Sequence, residues 1–257
     1  MGLTRVKQNI LAVLQRLAKA YHAVEQYFTS GSFGVKFYPF LMPPCVRRSH
    51  ALLIRLIAVI SAFIGLYYFF AELVAVLFSQ GTKVYLNHST LELLLPIGTL
   101  VDTQTSQLSP LSYMMRVAFM LQGIFFVWIY LLGISQITAP KYRLIGTVSA
   151  LCFSLGATLI ASSQGGKYVE GGLHNLGASI TFIFGHLTLL ATGLGIVSRS
   201  FYRLKRYAIL ASICGISAIL ATIFIPTAYF ALLERFGIYT ILIWEIAVSF
   251  AILKQVK

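Results

Sequence analysis

The sequence predicts an all-α, polytopic membrane protein: six transmembrane helices with both termini cytoplasmic, preceded by an N-terminal amphipathic helix. Three observations predict it. Of 257 residues, 58% are hydrophobic and only 11% charged, well under the charged fraction of an ordinary soluble domain, and a single water-facing core of this size cannot hide so much apolar surface. The apolar residues gather in six runs near the roughly 20 residues that cross hydrocarbon as a helix. The basic residues gather between those runs, mostly in alternate connections and so on one side of the membrane.

Residues 4–28 come first. Val6, Ile10, Leu14, Leu17, Tyr21, Val24 and Phe28 repeat at steps of three and four, a helical stripe, with Arg5, Lys7, Arg16 and Lys19 off it. A basic amphipathic helix ahead of the first span reads as lying in the cytoplasmic headgroup layer. The alternative is docking on the protein's own cytoplasmic face or on a membrane-protein partner. Residues 29–50 read as a connector, because Pro39, Pro43 and Pro44 oppose a regular helix. Residues 1–50 therefore form an interfacial unit, and residues 51–257 a transmembrane bundle. The first thirty residues lack the apolar core and small-residue cleavage site of a signal peptide.

The spans fall at about residues 51–79, 112–134, 143–163, 174–197, 207–229 and 235–253. Helices are required, because lipid offers no partner to an exposed backbone amide. With the N-terminus inside, fifteen Lys and Arg side chains fall in cytoplasmic segments against four outside, and Arg55 lies just within the membrane on the positive side. That imbalance places both termini in the cytoplasm of a cell membrane. The net charge of +13 thus marks a membrane face, with the lipid bilayer rather than nucleic acid as its partner.

The longest outer connection, 80–111, contains TLELLLPIGTLV, too short to span and broken by Pro96. It reads as a re-entrant or interfacial segment covering the outer mouth of the bundle. Asn87-His88-Ser89 matches a glycosylation sequon on that side. No internal repeat of the kind found in inverted-repeat carriers is apparent.

Small residues at three-to-four spacing predict close helix contacts. The fourth span has Gly177, Thr181 and Gly185, the third Gly146, Ala150, Ser154, Ala157 and Ala161, and the fifth Ala211, Gly215, Ala218 and Thr222. These stripes predict tight contact among spans three, four and five, with the fourth as the central post. Cys45, Cys152 and Cys214 have no metal or redox spacing and read as small hydrophobes.

Ionisable groups inside spans are the candidate site. Glu72 shares its face with Ser61, Gly65 and Tyr68, and Glu234, Ile238, Ile241 and Glu245 share a face of the sixth span. A carboxylate at that depth pairs, protonates or touches water. Depth suggests Arg116 as the partner of Glu72 and His186 as the partner of Glu245. The functional reading is a polar cavity open to the outer side, lined by Glu72, Arg116, His174 and Glu234, with Glu245 and His186 at its floor. Equally open is a set of interhelical pairs that hold the bundle together. No phosphate loop, nucleophile elbow, metal-ligand cluster or cofactor motif is present, so neither cofactor nor metal is expected.

GGLHNLGASITFIFGH, with a histidine at the entrance of the fourth span, and ERFGIYTILIWEIAV, opening the sixth, resemble the prokaryotic six-helix membrane family known as domain of unknown function 998. The likeness covers about residues 51–253, and Glu234-Arg235 and Trp244 carry it best. It implies a six-helix bundle in a prokaryotic cytoplasmic membrane and supplies no activity. A second likeness, to membrane proteins of the Frag1/DRAM/Sfk1 type, implies a connection with lipid handling.

Three functions follow as expectations. One is binding or moving a small amphiphile or lipid through the outward-facing cavity. Another is an accessory or scaffold subunit of a larger membrane complex. The third is a membrane-embedded lipid-modifying enzyme using His174 and His186 with Glu245 as acid/base groups. Twelve residues separate the two histidines, about 18 Å of rise, so they cannot share one reacting atom.

Overall fold

A computed structural model describes parts of residues 12–22, then residues 44–80, 83–95, 110–162, 172–224 and 229–255, with strand pieces at 100–101, 104–105 and 167–168. The chain divides into two units, Met1–Ala51 and Leu52–Lys257. In the first, the described residues between 12 and 22 are helical and mostly exposed; the rest of the expected amphipathic helix, and the connector up to residue 43, lie outside the described residues.

The described chain is almost wholly helical. Long helices α1 (Pro44–Leu77), α4 (Ser112–Leu132), α5 (Pro140–Ser162), α6 (Gly172–Gly195), α7 (Tyr202–Phe224) and α8 (Phe230–Gln255) make up the bundle, and short helices α2 (Val84–Asn87) and α3 (Thr90–Leu93) sit between α1 and α4. All six long helices are long and apolar enough to cross a membrane. Three two-residue strands join loops: β1 (Leu100–Val101) pairs antiparallel with β2 (Gln104–Thr105) and parallel with β3 (Lys167–Tyr168).

Helix α1 starts at Pro44, inside the stretch expected to be connector. A proline lacks only an N–H that a first turn leaves unbonded, so it opens a helix without cost. At about 1.5 Å per residue its 34 residues reach about 50 Å, longer than the hydrocarbon is thick. Leu52, Leu56, Val59, Phe63, Leu66, Phe70 and Leu73 form an exposed apolar stripe along it. Ser61, Tyr68 and Glu72 on the opposite face are buried. Apolar outside and polar inside is the arrangement hydrocarbon selects.

The small-residue stripes set the helix contacts, with one reassignment. On α6, a Cβ at Gly177 would stand 2.8 Å from the Gly156 carbonyl, and one at Gly185 would stand 2.9 Å from Phe153, so α5 and α6 meet nearly backbone to backbone. The expected α5 stripe faces mainly α4 instead: Gly146 lies against Tyr130, and Gly123 of α4 lies against Ala157 and Ser154. Gly156, off that stripe, makes the approach to α6. On its other side α6 meets α7, where Gly193 lies against Ile209 and Gly215 against the His186 ring. Helix α6 shares the central position with α8, as each has 56% of its apolar window buried, against 33–44% for the other four.

Two apolar clusters fill the interior. Tyr68, Leu93, Leu94, Met115 and Phe119 pack in the half that holds Glu72, and Phe126, Phe153, Leu189, Trp244 and Val248 in the other.

Candidate functional site

The buried and half-buried charged side chains Glu72, Arg116, Glu234 and Arg235 gather at the end of the bundle where α1 finishes and α8 begins. Arg235 Nε donates to Glu72 Oε1 at 2.7 Å, with both side chains almost wholly buried. The same oxygen accepts from Thr90 Oγ1 at 2.7 Å, and Glu72 Oε2 accepts from Tyr239 OH at 2.7 Å. A buried ion pair is tolerable only when most of its remaining lone pairs and protons are bonded; here both carboxylate oxygens are engaged, and on the guanidinium Nη2 alone has no partner among the described residues. Glu72 and Arg116 do not pair as their depth suggested, because Arg235 occupies that place.

Arg235 also holds the segment 83–95 across this end. Its Nη1 donates to the carbonyls of Tyr85 (2.7 Å) and His88 (2.8 Å), and its guanidinium stacks 4.3 Å from the Tyr85 ring centre. Glu234 accepts from the Leu91 amide at 3.1 Å. Arg116 Nε donates to the Leu94 carbonyl at 2.9 Å. Val84, Leu93, Leu94 and Leu95 are buried beneath these bonds. Local signals shape the segment too, since Ser89 and Glu92 form a reciprocal capping box at the start of α3. Lys83, at its entrance, takes a left-handed φ of 55°, a conformation that costs about 1–2 kcal/mol in an L residue.

His174 sits in the first turn of α6, 4% exposed, near the Ile160 backbone and Arg116. The structure therefore brings together Glu72, Glu234 and Arg235, and separately Arg116 and His174, with segment 83–95 bridging the two groups. Glu72, Glu234, Arg235 and Arg116 thus bond a segment laid across this end.

His186 and Glu245 are both fully buried, but they are not partners. His186 Nδ1 donates to the Phe182 carbonyl at 2.8 Å, and its Nε2 lies 3.1 Å from Thr240 Oγ1. The Ser212 hydroxyl donates to the His186 carbonyl at 2.8 Å. His186 thus fastens α6 to α7 and α8. Glu245 has neither carboxylate oxygen bonded. The proposed pairing failed because equal depth fixes height in the bundle and says nothing of which way each helix face turns.

Other unbonded polar atoms share the middle of the bundle with Glu245: Ser61 Oγ, Tyr68 OH, Gln122 Oε1 and Trp244 Nε1. Ring contacts order them by height. Tyr68 packs on Phe119 (5.5 Å) and Phe126 on Trp244 (5.2 Å), and Gln122 lies on α4 one turn from each of these phenylalanines. Gly65 of α1, between Ser61 and Tyr68, meets Ile246. A polar column on α1, from Glu72 through Tyr68 to Ser61, therefore descends from the covered end to the layer of Glu245.

Arg235, Thr90 and Tyr239 were not singled out in the sequence as site residues. Tyr239 stands one turn beyond Arg235, so both face Glu72, a spacing visible in the sequence once Arg235 is read as inward-facing. Among the described residues no group of three or more His, Cys, Asp or Glu side chains comes together as a metal site would require. No protein-family model, no curated protein and no solved structure matches the chain.

Proposed function

We propose that this membrane protein binds or moves a small amphiphile or lipid through the polar interior bounded by α1, α4 and α8, with Glu245 receiving its polar head. The observation that carries this reading is Glu245, a wholly buried carboxylate with both oxygens unbonded. Unpaired carboxylates in a low-dielectric interior are strongly disfavoured, and intramembrane carboxylates mark pathways and ligand sites by default. The ligand head is accordingly a hydrogen-bond donor, cationic or neutral. Segment 83–95 covers the approach, latched by Glu72, Glu234, Arg116 and Arg235, and the α1 column of Tyr68 and Ser61 leads inward. His174 contributes at the covered end, and His186 fixes the helices around the site.

The excess of basic residues at the end holding the termini supports a cell-membrane orientation with both of them cytoplasmic and the cover outside. The amphipathic stripe of residues 4–28 supports a helix at the headgroup layer, available to a membrane-protein partner.

The test is Glu245→Gln. Amphiphiles extracted with the purified wild-type protein and identified by mass spectrometry should include a species that the variant lacks, at equal yield of folded protein. An identical set of extracted species would overturn the reading. A variant that does not fold would return Glu245 to a purely structural role.

A further inference from the structure

A second site lies at the other end of the bundle, remote from Glu72. There a groove of about 630 Å³ runs between the start of α7 and the end of α8. Arg199, Arg203 and Lys254 line it, all exposed, and Tyr207 and Phe250 stand between them over a floor that includes buried Leu204. Among the described residues no acidic side chain lines the groove, and none of the three cations makes an ion pair. The nearest acid on α8 is Glu245, nine residues back and about 13 Å along the helix.

Three like charges around one concavity repel each other, and an anion placed among them removes that repulsion. Two of the three are guanidinium groups, whose planar forks match phosphate oxygens. The first turn of the 23-residue α7 also lines the groove, adding the positive end of its dipole. The groove sits at the ends of two stretches long and apolar enough to cross a membrane, Arg199–Thr222 and Phe230–Lys254, and the end of a span falls at headgroup depth. From it, Phe250 and Ile243, exposed and two turns apart on one face of α8, continue toward the hydrocarbon.

We infer that this groove binds an anionic phospholipid of the adjoining leaflet, its phosphodiester among Arg199, Arg203 and Lys254 and its acyl chains along Phe250 and Ile243. The charge selects the headgroup and the apolar flank selects an anchored lipid over a free anion. This site is independent of the Glu245 reading.

Titration of the purified full-length protein in detergent, followed by native mass spectrometry, tests it with phosphatidylglycerol, phosphatidylcholine and inorganic phosphate as probes. The wild type should retain phosphatidylglycerol in preference to phosphatidylcholine, and inorganic phosphate should not displace it. Each basic residue near an anionic lipid contributes about fivefold in affinity, so Arg199→Gln/Arg203→Gln/Lys254→Gln should weaken phosphatidylglycerol binding on the order of 100-fold. Lys254→Arg, which keeps the charge, and Lys83→Gln, at the far end, should bind as wild type. Equal retention of both lipids, unchanged binding by the triple variant, or displacement by inorganic phosphate would each overturn the inference.

Discussion

Arg235 and Glu72 meet at 2.7 Å from opposite termini of antiparallel helices, α8 at its start and α1 near its end. The guanidinium that neutralises the carboxylate also bonds two backbone carbonyls of the covering segment. One residue thus joins the first span, the last span and the cover. Removing one member of a buried pair strands the other charge at a cost of about 3–5 kcal/mol. Arg235→Gln should therefore lower the thermal unfolding midpoint in detergent markedly and expose segment 83–95 to protease. The double variant Glu72→Gln/Arg235→Gln should lose clearly less than the sum of the single variants. Additive losses would show that the two charges do not act as a pair.

At Gly156, α5 meets the backbone of α6. A Cβ there would stand 2.5 Å from Thr181 Oγ1 and 2.8 Å from the Gly177 carbonyl, and the backbone carbonyl cannot step aside. Gly156→Ala should destabilise the protein by about 1–3 kcal/mol. Leu155→Ala, one residue along but 56% exposed to the surroundings, should change stability by less than about 0.5 kcal/mol. Detergent-resistant unfolding curves of the two variants make the comparison.

Lys83 holds the left-handed backbone that starts the cover. Glycine adopts that conformation without the steric penalty, though it loses more freedom on folding. Lys83→Gly should stabilise the protein by about 0.5–1 kcal/mol, read as a rise in unfolding midpoint. A fall would mean that the lysine side chain makes a contribution larger than the strain.

Orientation is open to direct labelling. In a background lacking Cys45, Cys152 and Cys214, a membrane-impermeant maleimide applied to whole cells should label Asn87→Cys and not Arg203→Cys. The reverse pattern would place the cover, and the approach to Glu245, on the cytoplasmic side.

Much of this arrangement was readable from residue order. Hydrocarbon thickness imposes a length on every span, so the six apolar runs stand where the six long helices are. Helical periodicity also showed that Glu72 shares a face with Ser61 and Tyr68, and Glu234 with Glu245, and all five are buried. The pairings were not readable. Arg235 entered the sequence reading only as one of the four outer basic residues, at a span boundary, yet it turns inward and takes the place expected for Arg116 as the partner of Glu72. Arg116 reaches a backbone carbonyl of the cover, an acceptor with no signature in a sequence. His186 found Phe182 and Thr240, leaving Glu245 alone. The stripe on α5 announced a close contact without saying which neighbour it faced, because several helices can accept a small-residue face.

The most direct test of the Glu245 site is a side-chain-resolution map of the protein purified in a lipid nanodisc. Elongated non-protein density with its polar end against the Glu245 carboxylate, between α1, α4 and α8, is the predicted result. A Glu245 side chain hydrogen-bonded to protein groups alone, with the helices closed around it and no such density, would contradict the account.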